Sequence, residues 1–143
     1  MEYSKYLLIL QSMDDRVLRE LPPLLENDFM YVADRRKKEF TYPIHKHEVF
    51  ELNYVENGEG VLRIVGDSSE TIGNRELVLI TSPDLEHVWS QGTCNSEEIR
   101  EKTIQFFFNF NSSDSIFCRT PMLPIKHLFE KARKGVAFTP EAI

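Results

Sequence analysis

The chain has 143 residues, of which 41% are hydrophobic and 11% aromatic, and its formal net charge at pH 7 is −6. This length predicts one domain, and this apolar content excludes a disordered chain because it is sufficient to form a core. The acidic balance argues against nucleic-acid binding by this chain alone, since such binding depends on Lys and Arg neutralising phosphates.

The N-terminal part of the sequence contains few strong signals. The apolar run at residues 6–10 is too short for a signal-peptide core or a membrane span, so we expect a cytoplasmic protein with no membrane partner. Residues 14–26 are helix-like up to Pro22-Pro23, with Asp14 as a candidate N-cap. The one basic cluster, residues 35–38, is expected to form a solvated loop. The two cysteines, Cys94 and Cys118, have no spacing that indicates a disulfide framework.

Strand signals dominate the middle of the chain. Short apolar or alternating segments occur at residues 29–33, 49–55, 61–65, 77–81 and 103–110. Several short strands at roughly ten-residue spacing are typical of a β-sandwich or barrel. Asn57-Gly58 predicts a tight hairpin between the second and third segments, because both residue types tolerate positive φ, and Gly66-Asp67 predicts another turn.

The segment 103–110 has two different faces. Its even-numbered residues are all apolar, which predicts that they pack against a core or a helix. Its odd-numbered residues, Gln105, Phe107 and Asn109 among them, mix polar and aromatic groups, as the wall of a ligand pocket does.

An amphipathic helix is predicted within residues 122–134. Ile125, Leu128, Phe129 and Ala132 recur at i, i+3, i+4 and i+7, with Pro124 in the first turn and Gly135 as the stop signal. The apolar face predicts either a homodimer interface or docking on the even-numbered face of residues 103–110.

The most informative pattern is the spacing of His45, His47 and Glu51. Alternate residues of an extended segment point to the same side, so these three side chains can converge on one divalent ion. His87, in the sequence Pro83-Asp84-Leu85-Glu86-His87, is a fourth candidate ligand. Imidazole and carboxylate groups suit Zn, Ni, Fe and Mn.

This arrangement, H-x-H-x3-E-x6-G followed by P-x3-H, resembles the two motifs of the cupin fold. The four ligand types are present, whereas the usual glycines are replaced by Glu39, Leu77 and Leu85. The second motif also has its histidine one residue early, and Gln91 replaces its asparagine. The pattern therefore favours the barrel more strongly than metal chemistry.

Several segments, in order, resemble the sensor domain of the AraC/XylS family of transcriptional regulators. These are residues 50–60 (FELNYVENGEG), 76–80 (ELVLI) with 87–89 (HVW), 104–106 (IQF) and 128–138 (LFEKARKGVAF). The resemblance covers roughly residues 29–138. It implies a mainly β, cupin-like (double-stranded β-helix) barrel at residues 1–120 and the start of a helical linker or dimerisation segment at 121–143.

The resemblance also implies a function. We expect a ligand-sensing and dimerisation domain that is not an enzyme and has no catalytic residues. It would bind a small-molecule effector, such as a sugar, and reach DNA only through a C-terminal helix-turn-helix module that this chain lacks. The expected ligand-binding residues are His45, His47, Glu51, Asn53, His87, Trp89 and Gln105.

Two alternatives are compatible with the sequence. The first is a stand-alone metal-dependent cupin enzyme, an isomerase or dioxygenase, in which His45, His47, Glu51 and His87 are the metal ligands. The second is a non-catalytic sugar-binding cupin with no DNA partner.

Overall fold

The computed structural model describes residues 17–143, and ten strands form the framework of this part of the chain. They make two five-stranded, mostly antiparallel sheets that pack as a sandwich. Sheet 1 has the order β1-β3-β8-β5-β6, and sheet 2 has the order β10-β7-β4-β9-β2. The strands are β1 (Leu18–Arg19), β2 (Met30–Lys37), β3 (His45–Lys46), β4 (Phe50–Glu56), β5 (Leu62–Val65), β6 (Ser68–Thr71), β7 (Arg75–Ile80), β8 (His87–Ser90), β9 (Ile99–Phe106) and β10 (Val136–Ala137).

The antiparallel pairs between β2 and β9 are nested. Strand β5 pairs with β6, β4 with β7, β3 with β8 and β2 with β9, so each pair encloses the one before it along the chain. Further pairs, β4 with β9 and β5 with β8, join these into the two sheets. The nesting places β3, β4 and β8, which carry or adjoin the candidate ligands, on facing layers of the sandwich.

Burial alternates strictly along β4, as the sequence predicts for a strand. Glu51, Asn53 and Val55 are buried between the sheets, and the even-numbered residues are half-buried on the outer face of sheet 2. The molecule consequently has two apolar clusters. One lies between the sheets around Val55, Val78, Ile80 and Ile99, and the other lies between sheet 2 and the C-terminal helix.

The C-terminal helix α1 (Leu123–Lys131) docks on the outer face of sheet 2. Pro124 lies in its first turn, and a 3-10 turn, Ala132–Lys134, extends it to Gly135, whose φ of 81° ends the helix. Leu128, Phe129 and Ala132 pack against the even-numbered residues of the predicted packing face. The structure therefore contains the intramolecular docking that the sequence left open, with Ile125 on the more exposed side of the helix.

Two predictions of local structure are wrong in part. The helix predicted at 14–26 is not helical from residue 17 onward, because Leu18 and Arg19 pair in parallel with His45 and Lys46 and Pro22-Pro23 follow them; residues 14–16 lie outside the described range. The chain turns after β4, with Asn57 at a φ of 58° and the Val61 N–H donating to the Gly58 carbonyl oxygen, but no Asn57-Gly58 hairpin forms. Both edges of β4 are occupied by β7 and β9, so β5 joins the other sheet. The turn predicted at Gly66-Asp67 is confirmed, and it joins β5 and β6 in a hairpin.

The basic cluster at residues 35–38 is not a loop. Its first three residues lie in β2, which pairs with β9 along its whole length, and its last three residues form ion pairs with acidic groups of β9 and of the segment before it. Lys37 approaches Glu101 at 2.5 Å, Arg36 approaches Glu98 at 2.9 Å and Lys38 approaches Glu97 at 2.8 Å. No helix among residues 17–143 has the length and apolar character needed to cross a lipid bilayer.

Candidate functional site

The four candidate metal ligands meet inside the sandwich. His45 opens β3, His47 follows that strand directly, Glu51 lies on β4 and His87 opens β8 opposite His45. One ligand atom from each residue lies within 4.8 Å of the other three, and all four residues are buried. The predicted convergence is confirmed, although the chain bends between His47 and β4 rather than staying extended. This bend brings His47 Nε2 to 2.9 Å from Glu51 Oε2.

Each histidine ring is anchored in the same way. The Nδ1 atoms of His45, His47 and His87 lie 2.8–2.9 Å from the backbone carbonyl oxygens of Pro43, Val49 and Leu85. A carbonyl oxygen only accepts, so each Nδ1 carries the hydrogen and donates it. In a neutral ring the lone pair is therefore on Nε2, the atom that points into the cluster. Backbone anchoring of this kind orients metal-ligating histidines in general.

Charge in the cluster is distributed unequally. Burial by itself would raise the pKa of Glu51, but the hydrogen bond from His47 and the neighbouring rings outweigh it and lower the pKa to about 2. Burial also opposes a charged His47, yet its hydrogen bond to Glu51 prevails and raises the pKa of His47. Burial lowers the pKa of His45, and burial together with His45 lowers the pKa of His87 to about 4. The cluster thus holds an ionised carboxylate beside two rings that favour the neutral state.

The donor set fits a divalent metal ion. Within residues 17–143, His87 Nε2 is one of two buried side-chain polar atoms without a hydrogen-bond partner. A buried lone pair without a partner is energetically unfavourable, and coordination by an ion would satisfy it. Three imidazole nitrogens and one carboxylate oxygen are a set that Zn, Ni, Fe and Mn accept. The same ion would replace the proton that His47 shares with Glu51.

A cavity of about 530 Å³ adjoins one side of the cluster. His45 and Glu51 contribute to its wall, whereas His47 and His87 lie behind it. Three other predicted ligand-binding residues, Asn53, Trp89 and Gln105, also line this space. The cavity therefore reaches the cluster on the side of His45 and Glu51 only.

A hydrogen-bond network connects the cavity wall to the cluster. Gln105 donates through Nε2 to Glu51 at 3.1 Å and to Glu20 at 2.8 Å. Tyr42 donates its hydroxyl hydrogen to the other oxygen of Glu20. Burial and the neighbouring Glu20 raise the pKa of Tyr42, so this phenol stays protonated. The network fixes the Gln105 amide between two carboxylates.

A second network lies further along the same wall. Asn53 donates to Glu101 at 3.3 Å and accepts from the Thr103 hydroxyl at 3.0 Å. Trp89 has a different position, since its ring lines the cavity while its indole N–H donates to buried Glu76 at 3.2 Å. Trp89 is thus both a core residue and part of the cavity wall.

The sequence did not indicate several residues of the cavity wall, and it predicted a cavity wall on β9 that is too long at one end. Glu20 and Tyr42 carry no motif, and Glu20 was expected in a helix. Glu101 and Thr103 share the odd parity of Gln105, so strand alternation was the signal that could have found them. Strand β9 ends at Phe106, and the two later odd-numbered residues, Phe107 and Asn109, are exposed rather than in the cavity wall.

Comparison of this chain with protein-family models, with curated proteins and with solved structures found no match. The chemistry open to the site follows from its own geometry. A cation held by the cluster would face the cavity, and a ligand in the cavity would meet carboxylate acceptors, amide groups and aromatic rings. This combination suits the binding of a small polar molecule.

Proposed function

We propose that this chain is the ligand-sensing domain of an AraC-type transcriptional regulator and that its sandwich is a cupin-like double-stranded β-helix. The nested pairing of β2 with β9, β3 with β8, β4 with β7 and β5 with β6 supports the fold, because jelly rolls, to which cupins belong, are wound in this way. The resemblance of residues 50–60 and 128–138 to that family supports the regulator.

One observation carries the proposed sensing role. A cavity of about 530 Å³ is lined by five of the seven residues expected to bind a ligand: His45, Glu51, Asn53, Trp89 and Gln105. Its volume lies within the roughly 300–1,000 Å³ range of small-molecule sites. Its donors and acceptors suit the hydroxyl groups of an effector such as a sugar.

The same strands that line the cavity also support the helix. Gln105 faces the cavity, and its neighbours on β9, Ile104 and Phe106, pack in the cluster that holds Leu128 and Phe129. A ligand that moves β9 would therefore change the surface on which α1 docks. It can shift the population of helix positions only as far as it binds the two arrangements with different affinity. A separate DNA-binding module and a second copy of the chain would respond to that change.

His45, His47, Glu51 and His87 would hold a divalent ion in this proposal. Such an ion supplies a Lewis-acidic contact for an oxygen of the effector. The side chains around it would orient the effector, with Gln105 fixed by Glu20 and Glu51 and with Trp89 forming one wall.

Trp89 provides a direct test, because it is the single tryptophan of the chain and it lines the cavity. Zinc-loaded protein would be titrated with a panel of sugars, sugar acids and polyols while the fluorescence of Trp89 and the melting temperature are followed. We expect at least one compound to change both readouts in a saturable way. Gln105→Ala should abolish that response, whereas Asn109→Ala, which removes an exposed amide outside the cavity, should retain it. A panel that leaves both readouts unchanged contradicts the proposal.

A second candidate function is a stand-alone metal-dependent cupin enzyme, an isomerase or dioxygenase. It is favoured by one observation, the accessibility of the cluster from the cavity on the side of His45 and Glu51. The two functions differ in the fate of a bound compound. A sensor releases it unchanged, whereas an enzyme converts it, so mass spectrometry and NMR of the compound after incubation with zinc-, iron- or manganese-loaded protein distinguish them.

A further inference from the structure

Arg35 is a cation at the rim of the cavity without an acidic partner among the described residues. Its neighbours in the sequence, Arg36, Lys37 and Lys38, each form an ion pair. No carboxylate from residue 17 to the C-terminus lies within ion-pair distance of Arg35. Arg35 shares the cavity-facing parity of Tyr31 and Lys37 on β2. Its guanidinium is thus available to a molecule in the cavity.

The cavity has two ends with different chemistry. On β9, Gln105 pairs with Glu51 of the cluster, and Glu101 pairs with Arg35. These two positions are separated by four residues of strand, which is roughly 13 Å at about 3.4 Å per residue. Aromatic rings of Tyr31, Phe40, Tyr42 and Trp89 line the space as well. A ligand that contacts both ends must be elongated, and these rings offer its middle an apolar surface.

The net charge of the cavity wall makes the binding of a negatively charged ligand depend on a metal ion in the cluster. Three carboxylates, Glu20, Glu51 and Glu101, line the cavity against two cations, Arg35 and Lys37. A divalent ion in the cluster reverses the sign of that balance, and electrostatic interactions are stronger in a site shielded from water. The affinities for the anion and for the metal must then rise together, because coupling between two sites is reciprocal.

We propose that the cavity binds an elongated organic acid, with an oxygen donor at the histidine cluster and a carboxylate at Arg35. The guanidinium is suited to this role because it can hold a carboxylate with two parallel hydrogen bonds. The inference rests on the proposed function, since it names the ligand class of the same cavity. It selects organic acids over the neutral sugars that the remaining donors and acceptors would also accommodate.

Adipate and its dimethyl ester form a suitable probe pair, because they have nearly the same length and the ester keeps an oxygen donor at each end but has no carboxylate. Isothermal titration calorimetry would compare both probes on wild type, Arg35→Gln and Arg36→Gln. Arg36→Gln is the matched control, since it removes the same charge from the opposite face of β2. We expect zinc-loaded wild type to bind adipate at least tenfold more tightly than the ester. Arg35→Gln should reduce this preference at least tenfold and Arg36→Gln should retain it, while removal of zinc should weaken adipate binding at least tenfold.

Equal affinity of wild type for the two probes overturns the inference, as does an equal loss in the two variants or an absence of adipate binding at millimolar concentration. The proposed function is judged separately by the sugar and polyol panel. If a neutral sugar binds in the cavity and adipate does not, the sensing role stands and the acid is rejected. If neither class binds, both are rejected.

Discussion

The two faces of sheet 2 are built from the same strands and have opposite chemistry. The inner face presents Glu51, Asn53, Thr103 and Gln105 to the cavity and the cluster. The outer face presents Phe50, Leu52, Ile104 and Phe106 to the C-terminal helix. Strand alternation therefore separates the residues of the proposed ligand site from the packing residues on a single pair of strands. The helix covers what would otherwise be an exposed apolar surface of the sandwich.

The two faces should contribute differently to stability. The outer face removes apolar surface from water, and this favourable contribution does not depend on pH or on metal. The inner face buries polar groups, and their burial contributes nothing to stability or lowers it unless each group has a hydrogen-bond partner. His87 Nε2 has none among the described residues. We therefore expect substitutions on the outer face to destabilise the chain directly, and those on the inner face to act through pH and metal.

The largest effect is expected from Leu128→Asp, which places a charge on the packing side of the helix. Leu128 packs against the outer-face cluster, so an ionised side chain there loses apolar contacts and is poorly solvated. The free energy of unfolding should fall by about 3 kcal/mol. Urea unfolding followed by circular dichroism measures it.

Ile125→Asp is the matched control for that substitution, because Ile125 is 39% exposed on the same helix. It should change stability by less than about 1 kcal/mol. The pair also tests the expected homodimer. If sedimentation velocity shows a dimeric wild type that Ile125→Asp converts to a stable monomer, the exposed side of the helix is the interface. A wild type that stays monomeric at high concentration excludes the homodimer, and a stable, fully folded Leu128→Asp variant contradicts the intramolecular packing.

The inner face should make stability depend on pH through His87. Its folded-state pKa of about 4 lies below the ordinary value of 6.5, so between these values the unfolded chain binds a proton that the folded chain does not. Stability contributed by the neutral ring is therefore complete above pH 6.5 and is lost as the pH falls towards 4. The shift corresponds to roughly 3 kcal/mol at most. In EDTA, the free energy of unfolding of wild type should fall between pH 6.5 and pH 4 by about that much more than the free energy of unfolding of His87→Leu.

The other ionised groups of the cluster do not obscure this comparison. The pKa of Glu51, lowered from 4.5 to about 2, makes its contribution fall only below about pH 4.5. The raised pKa of His47 acts in the opposite direction, since its contribution is complete below 6.5 and declines as the pH rises through its folded-state pKa. His47 is present in both proteins, so the difference between them isolates His87. Parallel pH profiles for wild type and His87→Leu contradict the assignment.

A bound metal ion should turn the unfavourable burial of polar groups on the inner face into a net stabilisation of the fold. At a free zinc concentration of 100 times Kd, binding to the folded chain alone raises the free energy of unfolding by about 2.7 kcal/mol. His87→Leu should abolish this gain. His127→Leu, which removes an exposed histidine of the helix, should preserve it. Thermal melts with and without zinc measure both. A gain of equal size in the two variants indicates zinc binding elsewhere on the chain.

The sequence predicted the two faces of sheet 2 because alternation is a local property of strands. The positions of Glu51 and Gln105 relative to Phe50 and Ile104 follow from counting residues. The convergence of the four candidate ligands was also predictable, since their spacing was compatible with one site. The bend after His47 was not, although it creates the 2.9 Å contact with Glu51.

What the sequence could not predict depends on pairing between distant segments. Glu20 reaches the cavity because β1 pairs with β3, and no local pattern indicates that pairing. The Asn57-Gly58 sequence favours a hairpin locally, but no hairpin forms there because β7 and β9 occupy both edges of β4. Tertiary pairing overrides local preference at both places.

The smallest expected effect compares two ion pairs on opposite sides of β2. Lys37 and Glu101 face the cavity with side chains 22% and 11% exposed, whereas Arg36 and Glu98 face outward with side chains 68% and 61% exposed. Exposed pairs contribute about 0.2–1 kcal/mol because water screens the charges and both side chains lose freedom. A double-mutant cycle on each pair, with Lys37 or Arg36 changed to Met and the glutamate changed to Gln, gives the two coupling energies from urea unfolding. The inward pair should couple more strongly, because it is less hydrated and because Asn53 also donates to Glu101. A coupling energy as small as that of the outward pair would show that water fills this end of the cavity and that the inner face of sheet 2 is solvated there.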